Sequence, residues 1–99
     1  MSLFMEPIRD KALTYMDGAR RQRRELLAAL YHKRLTNPSQ PGLNLGELEQ
    51  LLGVSKAEFE FNLWYLTDGQ YVKRTDNGNH TISLKGVDLA EVELDRTKS

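Results

Sequence analysis

Cysteine is absent from these 99 residues, which excludes disulfide staples, thiolate nucleophiles and cysteine-bearing zinc sites. No apolar run approaches the roughly 20 residues that cross a bilayer, and the first residues lack the basic-then-apolar order of a secretory signal. A cytoplasmic protein with no membrane contact is therefore expected. Proline numbers only three and glycine seven, while 39% of residues are hydrophobic and 28% charged. That balance fits a globular chain better than collagen, a coiled coil or disorder. The length suits one domain and excludes a second independent core.

Net charge is also missing, since 14 Lys and Arg offset 14 Asp and Glu. The zero is a cancellation between blocks. From Arg9 to Arg34 eight basic residues face three acidic ones, a local +5; from Thr36 to Asp68 only Lys56 stands against five carboxylates, a local −4. The Gly69–Lys85 stretch carries +2, and the residues from Gly86 onward −2. The question becomes which charges share a surface.

Catalytic patterns are lacking as well. His32 and His80 are isolated and have no metal-ligand spacing. There is no Ser-centred elbow, and Gly42, Gly46 and Gly53 lie outside any phosphate-cradling strand-to-helix setting. Asn79–Thr81 forms an NHT triplet, which has no glycosylation role without a secretory context. No enzymatic activity, metal or cofactor is expected.

Hydrophobic spacing predicts the elements. Pro7 suits a first helical turn, and Ile8, Ala12, Tyr15 or Met16 make an apolar stripe for a short helix before Gly18. A stronger helix runs from Ala19 to Leu35, with Leu26, Leu27, Leu30 and Tyr31 at core spacing. The Thr36–Gly42 stretch, TNPSQPG, ends it in a rigid loop. A short helix over Leu45–Leu52 stops at Gly53, and Ser55 with Glu58 three residues on reads as a capping box for a third helix reaching Thr67. Tyr71–Thr75 and His80–Leu84 read as strands of a hairpin turning at Asp76–Asn79. In the second strand Thr81, Ser83 and Lys85 are expected on an exposed polar face, with Ile82 and Leu84 on the core. Gly86 then introduces a final helix bearing Val87, Leu89, Val92 and Leu94.

The stretch LGELEQLLGVSKAEFEFNLWYLTDGQYVKRTDNGNHTISLKG, Leu45 to Gly86, resembles the winged helix-turn-helix family. Leu48, Leu52, Val54, Phe59, Leu63 and Leu66 match the apolar framework of two crossed helices, with Gly53 in the turn. Gly69, Tyr71, Val72 and Arg74 resemble the lead-in to the wing, and Leu84–Gly86 its return. The expected fold is therefore α+β, a small winged helix-turn-helix domain of three to five helices with a two-stranded wing. Residues 1–99 form the single domain, 1–18 an N-terminal extension or short helix, and 87–99 a C-terminal helix or frayed tail.

The resemblance implies a transcription regulator whose third helix enters the major groove of double-stranded DNA while its wing touches phosphate or the minor groove. Carried onto this chain, Lys56, Ala57, Glu58, Glu60 and Phe61 fall near the groove. Lys73, Arg74, Asn77, Asn79, His80 and Thr81 fall on the wing. RRQRR adds Arg20, Arg21, Arg23 and Arg24 as phosphate neighbours. Base readout favours Arg, Lys, Asn or Gln, whereas this helix offers Glu58, Glu60, Phe61, Trp64 and Tyr65. An alternative is thus a protein-interaction or oligomerisation surface, with a homodimer or another protein as partner, built on Glu58, Phe61, Trp64 and Tyr65. Whether the chain covers Trp64 itself separates core packing from a partner surface.

Overall fold

The computed structural model describes residues 5–95. It is a small α+β fold in which helices α1 (Met5–Thr36), α2 (Leu45–Leu52) and α3 (Lys56–Asp68) precede strands β1 (Val72–Arg74) and β2 (His80–Ile82) and helix α4 (Leu84–Asp95). The strands pair antiparallel with Val72 opposite Ile82, Lys73 opposite Thr81 and Arg74 opposite His80. Residues 1–4 and 96–99 of the expected extension and tail lie outside the described residues.

Leu26, Leu27 and Leu30 of α1 meet Leu48 of α2, Phe59, Leu63 and Leu66 of α3, Val72 and Ile82 of the hairpin, and Ala90 of α4 in one buried core. Leu43, in the α1–α2 loop, joins them through a two-bond bridge with His80, N–H to O at 2.9 and 2.8 Å. That bridge pins the loop to the hairpin. No helix among the described residues is long and apolar enough to cross a membrane.

Four local expectations need correction. Gly18 does not end a short helix: α1 runs through it for 32 residues. One mid-helix glycine costs only about 1 kcal/mol, too little to stop a helix with good formers on both sides. The capping box falls on α2 rather than α3. Asn44 Oδ1 accepts the Glu47 N–H at 2.8 Å, and Glu47 Oε1 accepts the Asn44 N–H at 3.1 Å. At α3 the Ser55 side chain makes no cap bond, and Glu49 Oε2 from α2 accepts the Lys56 N–H at 3.2 Å.

The second strand ends at Ile82, two residues early, and α4 starts at Leu84 rather than Gly86. Ser83 is therefore buried, its hydroxyl donating to Gln70 O at 2.6 Å and accepting the Gly86 N–H at 3.0 Å. Leu84, expected in the core, is 80% exposed on the first turn of α4. A capping serine breaks the alternation on which the strand reading depended. Gly86 is then required: a Cβ there would run into the Tyr71 carbonyl oxygen and lie 2.7 Å from Ile82 Cγ1.

Gly53, with φ at 71°, closes α2 in the left-handed region, its N–H donating to Glu49 O. The turn lets α3 cross α2 so that Phe59, Leu63 and Leu66 point inward. The opposite side of α3 faces solvent.

Candidate functional site

Residues of α3 advance by about 100° each, so Phe61, Trp64 and Tyr65 lie away from the inward stripe. Phe61 is 59% exposed, Trp64 58% and Tyr65 43%. More than half of Phe61 and of Trp64 is left uncovered by α1 and α4, which decides against simple core packing for these two. The Phe61 and Trp64 rings lie 5.8 Å apart, tilted by 44°, within the range of favourable aromatic pairs. Glu58 and Glu60, both exposed, stand beside them.

Tyr65 forms the edge of this surface against α1. The Arg23 guanidinium lies over its ring, 4.2 Å from the centroid. Arg23 Nη1 also donates to Asn62 Oδ1 at 3.1 Å, and Asn62 Nδ2 donates to Gln22 Oε1 at 2.6 Å. Asn62 is buried at 3% exposure, so this network satisfies a polar group that would otherwise be costly. Asn62 was not among the expected site residues. Its signal was in the sequence, as a polar residue on the stripe of Phe59, Leu63 and Leu66.

RRQRR does not form one surface. Arg20, Arg23 and Arg24 line a groove of about 340 Å³ with Tyr65, Leu89 and Glu93. Arg21 lines a different groove, of about 1040 Å³, beside Glu25, Glu58 and Phe61. The hairpin cations Lys73 and Arg74 border a third, with Lys85 and Gln70. Lys85 Nζ donates to Gly69 O at 3.0 Å and lies 4.6 Å from the Tyr71 ring centroid.

The other expected hairpin contacts differ in accessibility. Asn77 is exposed and Asn79 half-buried, and both serve the turn: Asn77 Oδ1 accepts from the Thr75 hydroxyl and, at 3.3 Å, from the Asn79 N–H. His80 is buried at 7% exposure, with Nδ1 unpartnered, so it is not on the hairpin surface. Burial, then the nearby Arg74 charge, pushes its pKa below the ordinary value. Lys56 is exposed at the start of α3, where Glu49 already accepts its N–H. A carboxylate thus sits at the helix end where a phosphate would bind.

Among the described residues no group of three or more His, Asp or Glu is placed to hold a metal ion. No family model matches the chain, nor does any curated protein or solved structure.

Proposed function

We propose that this chain is a winged-helix domain that works as a protein-interaction module, with the outer face of α3 as its contact surface. The order of α1, the α2–α3 helix-turn-helix, the β1–β2 hairpin and α4 supports the winged-helix assignment. The observation that carries the function is the exposed aromatic group Phe61, Trp64 and Tyr65 on an acidic helix. Large aromatics are enriched in the anchors of protein interfaces, where they supply most of the binding energy.

The same helix is poorly suited to a DNA groove. Glu58, Glu60 and Asp68 against Lys56 leave α3 at −2, facing phosphate with like charge. Its N-terminal N–H is taken by Glu49, and Arg23 is committed to Asn62 and Tyr65.

A second reading, a DNA-binding regulator, is favoured by one feature: Lys73, Arg74 and Lys85 are exposed together on the hairpin side. Three phosphate contacts would give log K a slope near −2.7 against log salt, at about −0.9 per contact.

One experiment separates the two. A photo-crosslinking side chain at position 64, tested in cells, should give discrete protein adducts that the same group at Leu84 does not. Nucleic-acid adducts at position 64, with duplex binding that weakens as salt rises, would replace the first reading by the second.

A further inference from the structure

Arg20, Arg23, Arg24 and Leu27 stand at i, i+3, i+4 and i+7 on α1, so one stripe of the helix carries three guanidinium groups and then reaches the core at Leu27. α3 and α4 flank that stripe. They contribute Tyr65 and Leu66 from one side and Leu89 and Glu93 from the other, forming the groove of about 340 Å³. Leu27 and Leu66, both buried, close its bottom. An apolar lining is thus rimmed by three cations and one carboxylate, a net of +2 in a site at the small end of the ligand-sized range.

The rim is partly ordered in advance. Stacking on Tyr65 and the bond to Asn62 fix the plane of Arg23, yet the bond uses only one of its five N–H donors. The side chains of Arg20 and Arg24, one helical turn apart, have no hydrogen-bond partner among the described residues. Like charges at this spacing repel along a helix. An anion among them relieves that repulsion and gains charge-assisted hydrogen bonds, with less side-chain ordering than a mobile site would require.

We infer that this groove binds an acidic segment of another protein, seating a Glu side chain with its methylenes on the apolar lining and its carboxylate among Arg20, Arg23 and Arg24. A peptide fits better than nucleic acid. A phosphate backbone needs cations that continue along its track, and here the next ones border other grooves: Arg21 lies beside Glu25 and Glu58, and Lys73 and Arg74 lie on the hairpin side. The groove meets the exposed aromatics of α3 only at Tyr65, so the inference stands apart from the contact role of Phe61 and Trp64.

The test is an NMR titration of the isotope-labelled chain with a short peptide of Glu, Leu and Ser, followed at the arginine Nε–Hε signals. Those of Arg20, Arg23 and Arg24 should move while that of Arg21 stays. The same peptide with Gln in place of Glu should bind about ten-fold more weakly, the loss expected for hydrogen bonds to a charged group. Arg24→Glu and the exposed Arg20→Glu should each weaken the Glu peptide by a similar factor, with helical circular dichroism unchanged. Arg21→Glu, an equal change in net charge at a different groove, should weaken it by about two-fold or less. Absence of binding up to about 1 mM, or equal weakening by Arg21→Glu and Arg24→Glu, would overturn the site. So would weakening by Trp64→Ala with none by Arg24→Glu, which would move the peptide to α3 and uphold that contact surface instead. Tighter binding of duplex DNA to the same three arginines would replace the acidic segment by nucleic acid.

Discussion

Gly18 and Gly86 are both helical, yet alanine should act on them with opposite signs. At Gly18 an added Cβ meets nothing within 4 Å, so Gly18→Ala removes the backbone entropy penalty of a mid-helix glycine and should stabilise the chain by about 1 kcal/mol. Gly86→Ala gains a similar propensity term but drives its methyl into the Tyr71 carbonyl and to 2.7 Å from Ile82 Cγ1. A backbone oxygen cannot swing aside, so overpacking should take the upper end of its usual range, about 3 kcal/mol. The net loss is about 2 kcal/mol. For a domain of this size, 1 kcal/mol moves Tm by roughly 4–8 °C, so Gly86→Ala should lower it by about 10 °C and Gly18→Ala raise it by about 5 °C. Calorimetry on both variants measures this. A Gly86→Ala protein as stable as the native one would refute the close packing of α4 on the hairpin, and a destabilised Gly18→Ala would refute a continuous α1.

Ser83→Ala should cost about 1–3 kcal/mol in urea unfolding, because it leaves Gln70 O and the Gly86 N–H without their buried partner. Leu84→Ala, at an 80% exposed position, should stay within about 0.5 kcal/mol of native; a core-sized loss would restore the strand reading. Asn62→Ala should cost about 1–2 kcal/mol and release Arg23 from α3, seen as a changed Tyr65 environment by NMR. His80 has a pKa held below its ordinary 6.5, so the unfolded chain takes up its proton first as pH falls. Stability should therefore be steady in this respect above pH 6.5 and decline below it, until the folded-state pKa is reached. His80→Gln should flatten that part of a Tm–pH profile, and an unchanged slope would show that the ring is not the cause.

The core was legible wherever one period governed a whole element. Leu26, Leu27 and Leu30, like Phe59, Leu63 and Leu66, fall on helical faces that only burial explains, and α2 was readable to its ends because Gly53 supplies a left-handed stop. The reading failed where a side chain's partner lies far along the chain. Ser83 looks like one polar member of a strand until Gln70, 13 residues away, is seen to accept its proton. Ser55 has the right spacing for a cap, but the Lys56 N–H that follows it bonds to Glu49 on the preceding helix. RRQRR reads as one patch, yet its residues spread around the helix at about 100° a step, and only tertiary packing shows that they border separate grooves. The exposure of Phe61 and Trp64 was half legible: the wheel turned them outward, but no local signal says whether another helix covers them.

The uncovered faces of α1 and α3 meet at Phe61, and neither contributes to the core that closes beneath them. In α1 the heptad that buries Leu26, Leu27 and Leu30 continues upstream with nothing opposite it; in α3 the inward stripe completes the core while the aromatics remain in solvent. Folding therefore does not account for Tyr15, Met16, Phe61 or Trp64, and their large apolar area gains nothing from water. Changes at these positions should leave unfolding nearly untouched while altering association, the reverse of the pattern expected for Leu26 or Phe59. On the proposed reading the acidic charge of α3 acts in the same direction, because Glu58 and Glu60 beside exposed rings would repel phosphate and favour a basic partner segment. The neutral total of the chain is a cancellation between a basic α1 and an acidic α2–α3 segment, so it carries no information about either face by itself.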